Sequence, residues 1–355
     1  MMLPSMMKAL VKEEEGPSYQ YKDVPVPSPG EGDLLVKVRK VSLCGSDING
    51  YTWNDIAKAR NKVPFTPGHE MVGEIIAVGS NVPPEYAIGK RVCVENHFYC
   101  GECFQCEHDQ RHICQNLKQF GYGRGTIYGG CSEYTIIPAR YAYLLKSNIT
   151  DAQASVLEPV GVAHQALEEI DPKGETVLIM GCGPIGLFAT TIAKAMGATK
   201  VIATDILANK LELAQIMDAD VIVDSTKESL QEIVMRETNG DGVGCIVDAS
   251  GAPSAVNNCF TMLRKGGKVV LIGLLKAPLH VENPLQNIVF KSITLKTVHG
   301  RKIFHSWEES EKMVFEKVLN VDPLITHDFP MSQFEEAFHV LVSGTGCKIL
   351  ITPGK

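Results

Sequence analysis

The feature that most constrains the fold is the segment GCGPIG at residues 181–186, because of what stands on either side of it. It follows the apolar run TVLIM directly and opens the helix-like stretch PIGLFATTIAKAMGA. Between a strand and a helix, G-x-G-x-x-G predicts a dinucleotide-binding turn. Gly181 permits the tight turn, Gly183 lets the backbone approach a pyrophosphate, and Gly186 allows the helix to pack closely on the strand.

An acidic residue stands where this kind of turn needs one. Asp205 ends the next strand-like run, KVIATD, and a carboxylate there would bind the ribose hydroxyls of the adenosine. It would repel a 2′-phosphate, and the following residue is Ile206 rather than arginine, so the pattern favours NAD over NADP. Pro184, Ile185 and Lys210 complete the set of residues expected at the cofactor.

The alternation of strands and helices extends over the second part of the chain. Apolar runs such as DVIVD, GCIVDASG and GKVVLIG alternate with amphipathic stretches, which predicts a doubly wound parallel sheet covered by helices on both faces. The first part is rich in Gly, Pro and short strand-like runs, as in a barrel-like β domain. We therefore expect an α/β protein with a dinucleotide domain at 156–295 and a second domain formed by 1–155 and 296–355.

Four cysteines lie within CGECFQCEHDQRHIC, residues 100–114. The ligand candidates are Cys100, Cys103, Cys106 and Cys114. Their C-x2-C-x2-C-x7-C spacing fits tetrahedral zinc with four thiolates. A bacterial iron–sulfur run would place its last cysteine after three residues and before proline. A closed four-sulfur site leaves no position for substrate, so we interpret it as structural, with His108 and His112 as surface residues.

Composition narrows the choice of partner and compartment. The formal net charge is -7 and the pI about 5.8, which argues against nucleic acid or an anionic membrane as the main partner. No apolar run is long enough for a transmembrane helix, and the N-terminus does not resemble a signal peptide. A cytoplasmic protein is the expectation, with its eleven cysteines present as thiols or metal ligands.

A second metal site could be assembled from scattered residues. A catalytic zinc needs three protein ligands and one open position. Cys44 in CGSD, His69 in GHE and a carboxylate could supply them.

These segments together resemble the zinc-dependent medium-chain dehydrogenase/reductase family. GHEMVGEIIAVG, GKRV, the four-cysteine run, GGCSEY, LEP and GCGPIG occur in the family's order over essentially the whole chain. The resemblance implies a GroES-like catalytic domain and a Rossmann domain, with two zinc ions per chain. It also implies a catalytic zinc held by Cys44, His69 and Glu158, with Glu70 as an alternate ligand or a neighbouring carboxylate.

The resemblance assigns further roles around that zinc. Asp47 would orient the ligand His69, and Ser46 would begin a proton relay. The zinc would lower the pKa of a secondary alcohol, and NAD would take the hydride. The resemblance further implies an oligomer, expected to be a homotetramer, acting on a small-molecule alcohol without nucleic acid or membrane.

Within the family the chain is most similar to the L-threonine 3-dehydrogenases. DVPVPSPGEGDLLVKVRK, CGSDINGYTWND and HGRKIFHSW carry this similarity, and His97 matches a histidine near the substrate in that subgroup. EPVGVAH at 158–164 departs from it, since the threonine enzymes resemble DPFGNAVH there. Glu-Pro is more similar to the polyol and 2,3-butanediol dehydrogenases, which remain the alternative.

Two other classes explain the residues less completely. A zinc-free quinone-reductase-like member of the fold would lack the Cys44 and His69 pair and the four-cysteine segment. A non-enzymatic zinc module would need neither GCGPIG nor Asp205. Zinc content distinguishes the three, with two, none and one ion per chain respectively.

Overall fold

The computed structural model describes residues 3–354. The strands in chain order are β1 Met6–Val11, β2 Gln20–Pro25, β3 Asp33–Leu43, β4 Glu70–Val78, β5 Arg91–Val94, β6 His97–Phe98, β7 Lys118–Gln119, β8 Tyr134–Pro138, β9 Ala142–Leu144, β10 Thr176–Met180, β11 Lys200–Asp205, β12 Val221–Asp224, β13 Val243–Asp248, β14 Leu263–Leu271, β15 Thr294–Thr297, β16 Ile325–Pro330 and β17 Lys348–Thr352. The α-helices are α1 Asp47–Thr52, α2 Asp55–Arg60, α3 Phe104–Glu107, α4 Asp151–Ser155, α5 Leu157–Ile170, α6 Pro184–Ala195, α7 Ala208–Ile216, α8 Leu230–Glu237, α9 Pro253–Met262, α10 His305–Phe315 and α11 Phe334–Ser343.

Six strands form the predicted parallel sheet. Their order is β12-β11-β10-β13-β14-β15, and every neighbouring pair is parallel. The apolar run that precedes the glycines becomes β10, whose last four residues are buried because helices cover both faces of the sheet. The order reverses between β10 and β13, and in such sheets a ligand binds beyond the carboxyl ends of the strands at this point. The doubly wound fold is therefore confirmed.

The β-rich part of the chain forms a seven-stranded sheet. Its order is β16-β17-β3-β4-β5-β9, with β8 also pairing with β3. The long central strand β3 pairs antiparallel with β4, β8 and β17. Its apolar core includes side chains of β3, β4, β5 and α11, so the C-terminal segment contributes to the same core as the first strands.

The chain divides into two compact units. One runs to Glu158 and adds Lys302–Glu311 and the residues from Ile325 onward; the other comprises Pro159–Arg301 and Lys312–Leu324. The boundaries expected from sequence, near 155 and 296, stay a prediction. Within residues 3–354, no helix has the length and apolar character needed to cross a membrane.

Candidate active site

The four cysteines of the 100–114 segment converge on one point. Their neighbouring Sγ atoms lie 3.5 to 3.9 Å apart. A tetrahedron of thiolates around zinc, with Zn–S of about 2.3 Å, requires sulfur separations of about 3.8 Å. A disulfide would require about 2.05 Å. The cluster therefore fits a tetrahedral metal ion.

The surroundings of this cluster favour the thiolate form of some of its cysteines and disfavour that of others. A backbone hydrogen bond from Glu102 is the main cause that lowers the pKa of Cys100 to about 6. Burial raises the pKa of Cys114 to about 12, although the backbone N–H groups of Cys100 and Asn116 both donate to its Sγ at 3.3 Å. A bound cation would stabilise all four thiolates together.

The second group of ligand atoms comes from two neighbouring strand ends. The strands β3 and β4 are antiparallel, and Ser42 pairs with Glu70. Continued by one residue, this register sets Leu43 opposite His69. Cys44 follows Leu43 directly and therefore lies close to His69. One ligand atom from each of Cys44, His69 and Glu70 lies within 4.8 Å of the others.

Asp47 lies beside the histidine of this group. Its Oδ1 lies 3.4 Å from His69 Nδ1, and its Oδ2 accepts a hydrogen bond from the Cys44 backbone N–H at 2.8 Å. Asp47 and His69 are both buried. A carboxylate that holds one imidazole nitrogen leaves the other, Nε2, to a metal. Burial lowers the pKa of His69, but the interactions with Tyr122, Asp47 and Cys44 outweigh it and raise that pKa well above its usual value.

Glu70 is held by a lysine that the sequence analysis did not identify. Lys348 Nζ lies 2.5 Å from Glu70 Oε2 and donates to the Leu43 carbonyl at 3.0 Å; both charged residues are buried. Burial raises the pKa of Glu70, and Lys348 opposes that shift. The other oxygen, Oε1, is buried and has no hydrogen-bond partner in the described structure. A buried carboxylate oxygen without a donor suits a cation.

Glu158 lies in the first turn of α5, close to this group. Asn96 Nδ2 donates to Glu158 Oε1 at 3.3 Å, and Glu158 is buried. The negative charge of Glu158 also raises the pKa of Glu70, and only burial and Lys348 affect that pKa more strongly. Among the described residues, the group of possible ligand atoms within 4.8 Å of one another nevertheless contains Glu70 and not Glu158. The assignment of Glu158 as the third ligand stays a prediction.

Two hydroxyls adjoin the histidine. Ser46 Oγ lies 2.8 Å from Tyr122 Oη, and Tyr122 Oη lies 3.3 Å from His69 Nε2. The sequence analysis selected Ser46 and missed Tyr122, which stands in the glycine-rich segment GYGRGTIYGG and shows no periodic pattern. Burial raises the pKa of Tyr122, so its phenol is a neutral hydrogen-bonding group.

His97 is buried beside a carboxylate. Its Nδ1 lies 3.3 Å from Glu95 Oε1, which also accepts a hydrogen bond from the His97 backbone N–H at 2.8 Å. The indole N–H of Trp307 donates to Glu95 Oε2 at 2.8 Å. These contacts hold the Glu95 carboxylate beside the ring of His97. Contact between His97 and substrate stays a prediction.

The glycines of the 181–186 turn occupy positions where the motif requires a residue without a side chain. Gly181 has φ +94°, and a Cβ on Gly186 would lie 1.9 Å from the Gly181 carbonyl oxygen. Around Gly183 a Cβ would meet no atom within 4 Å, which leaves the backbone open to a ligand. Pro184 is the first residue of α6, followed by a half-buried Ile185. A pyrophosphate therefore fits here at a helix N-terminus.

Asp205 is held at the edge of this turn. Its Oδ2 accepts from the Cys182 N–H at 2.7 Å, and its Oδ1 accepts from the N–H groups of Ile206 and Leu207 at 2.7 and 3.0 Å. The carboxylate is thus fixed next to the glycine turn. Lys210, also expected at the cofactor, is buried in α7.

Comparison with known proteins gives matches along most of the chain. Residues 30–147 match the family model described as alcohol dehydrogenase GroES-like domain, and residues 184–316 match the one described as zinc-binding dehydrogenase. The L-threonine 3-dehydrogenase of Legionella pneumophila (strain Corby) is 36% identical over 346 residues, covering 97% of this chain and 99% of that protein.

Solved structures agree on the fold. A protein of Sinorhizobium meliloti 1021, described as a zinc-binding dehydrogenase and bound to NADP, superposes with a TM-score of 0.89 at 27% identity, covering 99% of this chain and all of that one. The 2R,3R-butanediol dehydrogenase of Bacillus subtilis superposes with a TM-score of 0.88 at 25% identity, covering 98% of this chain and all of that one.

Proposed function

Since the chain belongs to the family of zinc-binding alcohol dehydrogenases, we propose that it oxidises the secondary hydroxyl of L-threonine and passes the hydride to NAD. The observation that carries the reaction type is the group formed by the half-buried Cys44 and the buried His69 and Glu70, in which one Glu70 carboxylate oxygen lacks a hydrogen-bond donor. The 36% identity to an L-threonine 3-dehydrogenase over 97% of this chain supports the substrate.

Cys44 and His69 would hold a catalytic zinc, together with Glu158 or Glu70. When bound, this ion acts as a Lewis acid that lowers the pKa of the substrate alcohol. The carboxylates of Glu70 and Glu158 are both buried and close enough to repel each other, and a divalent cation would relieve this repulsion. The cysteines of the 100–114 segment would hold a second, structural zinc.

The protein side chains then orient groups and move one proton. Asp47, whose Oδ1 lies 3.4 Å from His69 Nδ1, would hold the imidazole so that Nε2 is available to the metal. Ser46, half-buried beside Tyr122, would accept the proton of the substrate hydroxyl and pass its own toward solvent. The glycine turn and Asp205 would hold the cofactor so that its nicotinamide receives the hydride from the same carbon.

We propose NAD rather than NADP on the position of Asp205. Its carboxylate is held by three backbone N–H groups and cannot turn away from the adenosine ribose without losing them. A 2′-phosphate there would face a fixed negative charge. The similar protein of Sinorhizobium meliloti is bound to NADP, so the preference of this chain for NAD or NADP should be measured directly.

A vicinal diol or polyol is the second candidate substrate. The segment EPVGVAH, with Glu158, departs from the threonine subgroup, and the fold matches a 2R,3R-butanediol dehydrogenase over its full length. Threonine and 2,3-butanediol share a secondary hydroxyl next to a carbon that bears a polar group. The same catalytic residues could therefore act on threonine or on 2,3-butanediol.

NADH formation with L-threonine, 2,3-butanediol and C4–C6 polyols tests both candidates on zinc-replete protein. Turnover of L-threonine with kcat/KM at least tenfold above every diol supports the first proposal. Turnover of diols alone replaces it with the second.

Cys44→Ser tests the metal assignment separately. We expect the loss of turnover and of one zinc per chain, with NADH binding retained. Cys259→Ala, a buried cysteine outside both cysteine groups, is the matched control. Retained turnover in Cys44→Ser would contradict the assignment.

We also propose a homotetramer in the cytoplasm. None of the eleven cysteines, all of which lie within residues 3–354, is in a disulfide, which agrees with a reducing compartment. Light scattering coupled to size exclusion measures the assembly: a mass of one or two chains would contradict the tetramer.

A further inference from the structure

The hydroxyl of Tyr122 lies where the substrate oxygen is expected to react. Its Oη is 3.3 Å from His69 Nε2, the imidazole nitrogen left for a metal by Asp47. It is also 2.8 Å from Ser46 Oγ, the hydroxyl proposed to accept the substrate proton. A substrate oxygen placed between the metal and Ser46 can therefore also reach the hydroxyl of Tyr122.

Contacts with His69, Arg60 and Lys62 hold this phenol in place. The Tyr122 ring lies 5.0 Å from the His69 ring, and the Arg60 guanidinium lies 5.5 Å from its centre. The backbone N–H of Lys62 donates to the Tyr122 carbonyl at 3.2 Å. Only 7% of the residue is exposed. A hydroxyl on such a rigid and buried ring loses little entropy when it binds a ligand.

We propose that Tyr122 is a catalytic residue whose hydroxyl donates a hydrogen bond to the reacting oxygen of the substrate. This inference rests on the proposed alcohol dehydrogenase function and holds for threonine or a diol. A metal-ligand role is less consistent with the group, because the side chains that bind zinc in proteins are thiolates, imidazoles and carboxylates.

The proposed step balances as follows. The substrate O–H bond breaks, and its proton passes to Ser46, whose own proton leaves toward solvent. The C–H bond breaks with its electron pair, which forms the new C–H bond of NADH, and the C=O bond of the product forms. Tyr122 keeps its proton throughout and stabilises the negative charge that develops on the oxygen.

Tyr122→Phe removes the hydroxyl and keeps the ring. Removal of one donor to a developing oxyanion costs about 10²- to 10³-fold in kcat. We expect kcat/KM for the preferred alcohol to fall about 100-fold, with zinc content and NADH affinity unchanged. Tyr128→Phe, which removes the hydroxyl of a half-buried tyrosine in the same segment, is the matched control and should keep wild-type turnover.

A second measurement does not need turnover. The protein is loaded with Co²⁺ and titrated with L-threonine or 2,3-butanediol while its visible absorption is recorded. We expect the spectrum without alcohol to be the same in wild type and Tyr122→Phe, and the alcohol to bind about tenfold more weakly to the variant.

The outcomes separate the two proposals. If wild type turns over a diol and not threonine, the substrate proposal fails and the Tyr122 comparison is made with the diol. Equal kcat/KM in Tyr122→Phe and wild type overturns the catalytic role. A changed Co²⁺ spectrum without alcohol overturns it too, since Tyr122 would then be a metal ligand. A wild type that neither turns over nor binds these alcohols overturns both.

Discussion

The buried pair of Lys348 and Glu70 predicts a large loss of stability when the lysine alone is removed. Lys348→Met replaces the ammonium-bearing side chain with an unbranched apolar one that is a single atom shorter, so it removes the charge and keeps most of the packing. Glu70 is 0% exposed and Lys348 is 1% exposed. The variant therefore leaves a carboxylate in the interior without its countercharge, and such a change costs about 3–5 kcal/mol. The Leu43 carbonyl also loses its Nζ donor at 3.0 Å, which adds about 1 kcal/mol.

Urea denaturation of the metal-free protein measures this loss. We expect the free energy of unfolding to fall by about 4–6 kcal/mol at pH 7. The double variant Lys348→Met/Glu70→Gln should recover most of it, because it no longer buries an unpaired charge. Lys8→Met is the control, since its pair with Asp23 is exposed and should contribute little. A Lys348→Met variant within 1 kcal/mol of wild type would refute the reasoning.

The loss should also depend on pH and metal. Burial already raises the pKa of Glu70, and removal of Lys348 raises it further. When the pKa of a carboxyl is higher in the folded than in the unfolded protein, the free energy of unfolding decreases as the pH rises. The loss of stability in Lys348→Met should therefore shrink as the pH falls toward about 4.3, the pKa of glutamate in the unfolded chain. Zinc should reduce the penalty as well, if the ion faces Glu70 as proposed.

Three further predictions concern other parts of the chain. Asp205→Ser/Ile206→Arg should raise the ratio of kcat/KM for NADP over NAD at least tenfold in initial-rate assays, because it replaces a fixed carboxylate with a cation; an unchanged ratio would place the adenosine elsewhere. Cys103→Ser should lower the zinc content from two ions to one and the melting temperature by several degrees, as measured by atomic absorption and calorimetry; full zinc content would exclude the structural role. Burial lowers the pKa of Lys12 to about 8, so the stability of wild type should rise relative to Lys12→Met by about 1 kcal/mol as the pH goes from 8 to 10.5; a constant difference in urea denaturation would contradict this.

Local sequence was enough for the parts of the protein that are themselves local. The glycine turn between β10 and α6 follows from six consecutive residues and their flanks, and the structure has the close approach of Gly186 to Gly181 that the motif requires. The four cysteines lie within fifteen residues, and the spacing that predicts zinc also brings their sulfurs together. In both cases the chain has few ways to arrange the residues.

Lys348 and Tyr122 could not be predicted in this way. Lys348 lies 278 residues from Glu70, in β17, and reaches it only because β17 pairs with β3. In the sequence it is one charge in the apolar run CKILITP, which indicates a buried strand but not the partner of the charge. Tyr122 stands 76 residues from Ser46 in an irregular loop. Long-range pairing and loop geometry fix both positions, and neither has a periodic pattern.

The register of β3 connects these local and long-range contributions. One strand pairs Ser42 with Glu70 of β4 on one side and with Leu350 of β17 on the other. Because side chains alternate between the faces of a strand, a slip of one residue in either pairing would turn Glu70 or Lys348 to the opposite face. The pairing of β3 with β4 includes two register shifts, between Leu35 and Val36 and between Val38 and Lys40. Such bulges re-aim the residues that follow them, so the convergence of Cys44, His69 and Glu70 depends on strand pairing that begins well before the first ligand.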